Sequence, residues 1–143
     1  MFQWWNDFSA QAQTKLAQWN NSTFKDGCMA VCALIAAADG KVDATERTKV
    51  AELIAANELL QVFDGSELKK TFDAFCDKAG DEFARLDLLN VVRRLKGNDA
   101  QADTALKIAL IIANADGDFA DSEKVVVREL CGALGLAATE YLS

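Results

Sequence analysis

Apolar positions along this chain recur mainly at steps of three and four, the spacing of one helix face. From Trp5 onward the first stretch runs Phe8, Ala12, Leu16 and Trp19, and the polar run Asn20-Asn21-Ser22 ends it. From Phe24 to Asp39 the residues Cys28, Val31, Cys32, Leu34, Ile35 and Ala38 make a helix apolar on nearly all sides, which predicts a central, buried element. A helix from Ala44 to about Asn57 turns Val50, Leu53 and Ile54 inward and Arg47, Lys49 and Glu52 outward. Residues 58–65 read as an irregular, buried connection through Leu59, Leu60, Val62 and Phe63. Two further helices follow. One buries Leu68, Phe72, Phe75 and Cys76; the other, capped by Asp81, buries Phe83, Leu86, Leu89, Val92 and Leu95 and ends at Gly97. Asp99 or Asp103 opens a second nearly all-apolar helix with Leu106, Ile108, Ala109, Ile111, Ile112 and Ala115. Val125, Val126, Val127, Leu130 and Leu134 carry the next helix to Gly135, and Tyr141 and Leu142 dock a short end piece.

The two all-apolar helices belong to a longer repeat. Ala38-Asp39-Gly40-Lys41-Val42-Asp43-Ala44-Thr45-Glu46 returns 77 positions later as Ala115-Asp116-Gly117-Asp118-Phe119-Ala120-Asp121-Ser122-Glu123. Leu34-Ile35-Ala36 likewise matches Ile111-Ile112-Ala113, and Val50, Glu52, Leu53 and Ala56 match Val127, Glu129, Leu130 and Ala133. The expected architecture is all-α: a single domain of about seven helices with two pseudo-symmetric helix-loop-helix repeats. Repeat one spans 24–59, inserted helices 66–97, and repeat two 101–136, preceded by an aromatic-rich arm, 1–23, that stands apart from the 24–143 domain.

Composition narrows the chemistry. The chain has 143 residues, 51% hydrophobic, with a net charge of −7, which suits one soluble domain and disfavours nucleic acid, whose phosphates need a basic face. Histidine is absent, removing the commonest transition-metal ligand and general base, and proline is absent too. Cys28, Cys32, Cys76 and Cys131 follow neither zinc spacing nor a disulfide framework and read as small core residues. No signal peptide and no run of 18 uncharged apolar residues is visible, so the expected location is cytoplasmic, at most peripheral to the inner membrane.

The candidate site is the pair of acidic loops. Asp-Gly, then an apolar residue two positions after the glycine, then Glu four further on, matches the second half of an EF-hand calcium loop. The first half fails: its opening ligand positions hold Ile35 and Ala37 in one copy and Ile112 and Asn114 in the other. Neither loop alone encloses an ion. Asp39, Asp43, Glu46, Asp116, Asp118, Asp121 and Glu123 are the candidate metal ligands. Carboxylates without imidazole or grouped thiolates point to Ca²⁺, then Mg²⁺ or Mn²⁺. Helix punctuation competes with this reading, because Asp43-Ala44-Thr45-Glu46 is a capping box and Gly40 and Gly117 suit helix ends. That account covers Glu46 but extends less well to Glu123, whose loop has Ala120 at the cap position.

These loops, with Val31-Cys32-Ala33, Val62-Phe63-Asp64, Arg128-Glu129-Leu130 and Leu134-Gly135, resemble the tellurite-resistance TerB family over about residues 24–142. The resemblance implies an all-helical cytosolic domain whose acidic residues chelate metal, linked to tellurium-oxyanion resistance and a membrane-associated stress-response complex. Asp39, Glu46, Asp116 and Glu123 match its acidic positions.

The expected function is therefore a non-enzymatic module of tellurite and stress resistance that binds a divalent cation, calcium ahead of the others, and works through protein partners at or near the membrane. The alternative is a pure protein-interaction module whose acidic loops are only caps and a charge patch. In either case Trp4, Trp5, Phe8 and Trp19 are candidate partner-binding residues, unless the aromatic stripe docks on the chain's own core.

Overall fold

Two helices with almost no wet face run through the middle of the domain. In α1 (Ser22–Ala36) Phe24 and every residue from Gly27 to Ile35 are buried. In α5 (Asp99–Ala113) the same holds for Ala102, Leu106, Ala109, Leu110 and Ile112 among others. The computed structural model describes residues 4, 8, 12, 15–40, 42–115, 117 and 119–142. Around the central pair lie α2 (Ala44–Ala56), a 3-10 turn (Glu58–Val62), α3 (Gly65–Ala79), α4 (Ala84–Arg93), α6 (Asp121–Leu134) and a closing 3-10 turn (Ala138–Glu140). No strand occurs among the described residues. The domain is all-α.

The 77-residue offset governs the coordinates. Ser22–Ala36 maps onto Asp99–Ala113, and α6 begins 77 residues after α2. Both central helices start the same way: the Asn21 side chain accepts from the Phe24 amide at 2.9 Å, and the Asn98 side chain from the Gln101 amide at 3.2 Å. The cap of α5 is thus Asn98, not Asp99 or Asp103. The two helices also touch at equivalent residues, since the Cys28 thiol donates to the Ala105 carbonyl at 3.9 Å. A residue can meet its own counterpart only beside the axis that relates the halves.

The outer helices pack on this pair. α1 touches α3, α4, α5 and α6, while α2 lies on α3 and α5, and α4 on α6. Leu68, Phe72 and Cys76 form the buried face of α3. Two ion pairs tie neighbours at the surface. Arg47 of α2 donates to Asp73 at 3.2 Å and to Asp77 at 2.9 Å on α3, and Arg85 of α4 grips both oxygens of Glu129 on α6. The Arg85 guanidinium holds the Glu129 carboxyl below its usual range. At this exposure each pair contributes no more than about 1 kcal/mol.

One expected face is rotated. α4 buries Leu88, Leu89 and Val92, whereas Phe83 is 79% exposed and Leu86 57%. Asp81 does not cap it: Phe83 is the cap residue and makes no side-chain bond there. Helix geometry begins at Ala84, so the inward stripe is set by contact with α1 and α6 and excludes Phe83. Position 125 shows a similar departure; Val126 and Val127 are buried and Val125 is 61% exposed.

The described part of the N-terminal arm lies on its own domain. Phe8, Ala12 and Leu16 are buried, Trp4 meets Phe8 edge-on at 5.8 Å, and Trp19 leans on Phe24, which stacks on Phe63. Lys107 of α5 sits 5.4 Å from the Trp4 ring centre and 5.6 Å from that of Phe8. Asp103 holds that lysine at 3.2 Å and accepts from the Tyr141 hydroxyl at 2.6 Å, so one carboxylate links the arm, α5 and the C-terminal turn. Trp5 lies outside the described residues. No helix among the described residues is long and apolar enough to cross a membrane.

All four cysteines are free and buried. Burial pushes the Cys76 thiol up to about 12 and the Cys131 thiol to about 11, and burial with Asp103 also raises the Tyr141 phenol. The unfolded chain releases thiol protons near pH 8.5–9 that the folded chain keeps, so stability falls as pH rises from about 9 toward 11. Urea midpoints between pH 8 and 10.5 should decline, and Cys131→Ala should flatten that decline; an unchanged slope would contradict the burial argument. Two glycines give a sharper test of packing. A Cβ on Gly27 of α1 would stand 2.6 Å from Leu95 Cδ1, and Leu95 is buried, whereas a Cβ on Gly132 of α6 meets nothing within 4 Å. Gly132→Ala should raise stability by about 0.5–1 kcal/mol through helix propensity, while Gly27→Val should cost about 1–3 kcal/mol by overpacking. Chemical unfolding that gave both changes the same sign would refute this packing.

Candidate functional site

Each central helix runs out into an acidic loop, and the two exits are built alike. After α1, the Ala37, Ala38 and Gly40 amides donate to Ala33, Ile35 and Ala37 carbonyls at 3.0, 3.1 and 2.9 Å. After α5, Asn114, Ala115 and Gly117 donate to Leu110, Ile112 and Asn114 at 3.0, 3.3 and 3.0 Å. Gly40 and Gly117 both have positive φ, +129° and +80°, which a side chain would strain. The Asp-Gly pair is therefore a chain-reversal device first, whatever else it does.

The loops converge on one cavity of about 340 Å³. Its walls are pairs of counterparts: Cys32 with Ala109, Ile35 with Ile112, Ala36 with Ala113, and Glu46 with Glu123. With the Cys28–Ala105 contact, these pairs show the C-terminal halves of α1 and α5 running side by side, with the cavity on the axis between repeats. Asp39, Glu46 and Glu123 stand in its lining together with Lys49. The floor is apolar, from Ile35, Ile112, Val50 and Leu53.

The structure separates the candidate ligands. Asp39, Glu46 and Glu123 are brought to one cavity from three elements. Asp43 is not; its side chain caps α2 by accepting from the Glu46 amide at 2.8 Å. Asp121 is fully solvent-exposed and pairs with Lys124 at 3.6 Å. Asp116 and Asp118 lie outside the described residues. At the second loop the cap works in reverse, because Ala120 has no side-chain acceptor and its amide donates to Glu123 Oε1 at 2.9 Å. Both loops thus use carboxylates as caps. Glu123 does at the second loop what Asp43 does at the first, because Asp43 is replaced there by Ala120.

Asp39, Glu46 and Glu123 bring carboxylate oxygens to the opening. Oxygen donors of this kind suit a hard cation in character. Among the described residues, no three acidic or cysteine side chains are gathered tightly enough to hold an ion as they stand. Ile35 and Ile112, at the first EF-hand position, are buried helix residues, so backbone burial as well as chemistry rules out that loop geometry.

The sequence pattern missed two features. Lys49 is exposed as expected and also lines the cavity, and its repeat counterpart is Val126, an asymmetry visible in the aligned copies. The chamber itself is lined by small residues from both central helices, Cys32 and Ala36 on one and Ala109 and Ala113 on the other. Only the register between repeats could have revealed it.

Comparison with known proteins agrees with these features. The family described as "Tellurite resistance protein TerB" matches residues 25–143. A protein named "Tellurium resistance protein TerB" from Alcaligenes sp is 26% identical over 98 residues, covering 67% of this chain and 80% of the relative. No solved structure matches. The repeated Ala-Asp-Gly loops and the helical pair that positions them are those of the TerB family of tellurite resistance proteins, to which this chain belongs.

Proposed function

We propose that this protein is a non-enzymatic module of tellurite and stress resistance that binds a divalent cation, calcium before magnesium or manganese, at the mouth of the axial cavity. The observation that carries the reading is convergence: Asp39, Glu46 and Glu123 come from separate segments to line one opening. Three carboxylates without imidazole favour hard cations, and water or loop carbonyls would complete the sphere. Partners in a resistance complex, cytoplasmic or at the membrane face, would read the occupied state. Among the described lining residues the one thiol, that of Cys32, is kept protonated by its contact with Cys28 and by burial, which supports a binding role over a catalytic one.

A second reading has its own support. Asp43 and Glu123 each hold a helix N-terminus, so the acidic loops also make sense as caps and a charged surface for a basic partner.

Thermal melts separate the two. Calcium at about 100 times its dissociation constant adds roughly 2.7 kcal/mol, a rise of about 5–10 °C for a domain of this size. The rise should vanish in Glu46→Gln/Glu123→Gln. Superimposed melts in chelator and in millimolar calcium would leave the capping reading standing alone. The cap itself is tested in chelator: Asp43→Ala should lose about 1 kcal/mol, and Ala120→Asp should gain a similar amount, since only the first loop has a side-chain acceptor at its N-cap position.

A further inference from the structure

We infer that the outer face of α4 is a docking surface for a second copy of this chain, met antiparallel about a twofold axis. This is independent of cation binding, because no residue of α4 lines the axial cavity.

The first ground is an apolar patch that the fold leaves uncovered. Phe83, Leu86 and Val125 are the exposed large hydrophobic residues among those described. They gather round one ion pair. Phe83 and Leu86 lie on either side of Arg85 in the chain, Arg85 grips Glu129, and Val125 stands one turn before Glu129 on α6. A single exposed leucine is ordinary, but adjoining apolar residues left open to water mark a contact surface.

The second ground is the order of charge along the same stripe. Asp87, Asn90, Arg93 and Arg94 follow Phe83 and Leu86 at helical spacing, and all are exposed. The stripe is acidic in its first half and basic at its end. Residues 80–98 are all described, and Asp87 and Arg94 form no ion pair among the described residues. Such a face matches its own image turned end for end. A partner of one charge sign would be repelled at one end, which disfavours nucleic acid and an anionic membrane. With the twofold near Asn90, Asp87 of each copy meets the partner's Arg94. The stems of the partner's Arg93 and Arg94 then cover Leu86 and Phe83, the guanidinium resting on the ring. The patch covers on the order of a few hundred Å², less than the roughly 800 Å² per partner of stable complexes, so the dimer is weak.

Sedimentation of the full chain in chelator tests this. The protein should be monomeric at about 10 µM and largely dimeric at about 1 mM, and raising salt from about 0.05 to 0.5 M should weaken association several-fold. Phe83→Ser/Leu86→Ser alters only exposed side chains, so its thermal melt should stay in place while dimerisation weakens at least about tenfold. Asp87→Arg and Arg94→Asp should each weaken it by about tenfold, because like charges then face each other twice across the axis. An equimolar mixture of those two variants should associate as the unaltered chain does, since both contacts again join unlike charges. If the serine variant fails to fold, the charge variants and their mixture decide alone. A monomer at 1 mM would leave the patch to a different protein and overturn the proposal. So would a dimer indifferent to Phe83→Ser/Leu86→Ser, or a mixture that associates no better than either charge variant alone. Because chelator is present throughout, the outcome does not turn on whether the loops bind calcium.

Discussion

Everything in this domain hangs on the contact between two copies of the same buried helix. α1 and α5 meet through counterparts, with Cys28 against Ala105 and then Cys32 and Ala109, Ile35 and Ile112 around one axis. The cavity opens beside their C-terminal halves, with Ala36 and Ala113 in its lining. Since both helices point the same way along this seam, their acidic exits must arrive together. The site follows from the seam, not from either loop.

The halves have diverged where the seam does not constrain them. Backbone hydrogen bonds at the two loop exits agree to within 0.2 Å, and in both a glycine takes a positive φ. Beyond the reversal the solutions differ: Asp43 caps α2 directly, while Ala120 leaves that task to Glu123 from inside the next helix. Lys49 against Val126 adds a charge on one side only. The cavity between the repeats is correspondingly asymmetric, since α2 lends it Val50 and Leu53 while their counterparts Val127 and Leu130 do not line it.

The aromatic arm illustrates how surface and core compete for the same residues. Trp4, Phe8 and Trp19 had the look of an exposed docking stripe, and each rests on the chain's own helices. Asp103 ties this arrangement together, since the lysine under the rings and the tyrosine of the C-terminal turn both bind it. Apolar periodicity says that a face will be covered; it does not say by what.

The sequence by itself determined the helices, the repeat and the acidic pairs. Period-3.6 patterning, asparagine caps and the 77-residue register are local or linear properties that the residue string carries outright, and α1, α3 and α5 follow from them. Membership of the TerB family was legible for the same reason, the paired loops being contiguous motifs. Tertiary structure alone decided which carboxylates share a space, that Glu123 caps its own helix, that Phe83 and Leu86 face outward, and that a chamber exists at all. Those depend on the rotation and spacing of helices far apart in the chain, and packing across the axis sets both.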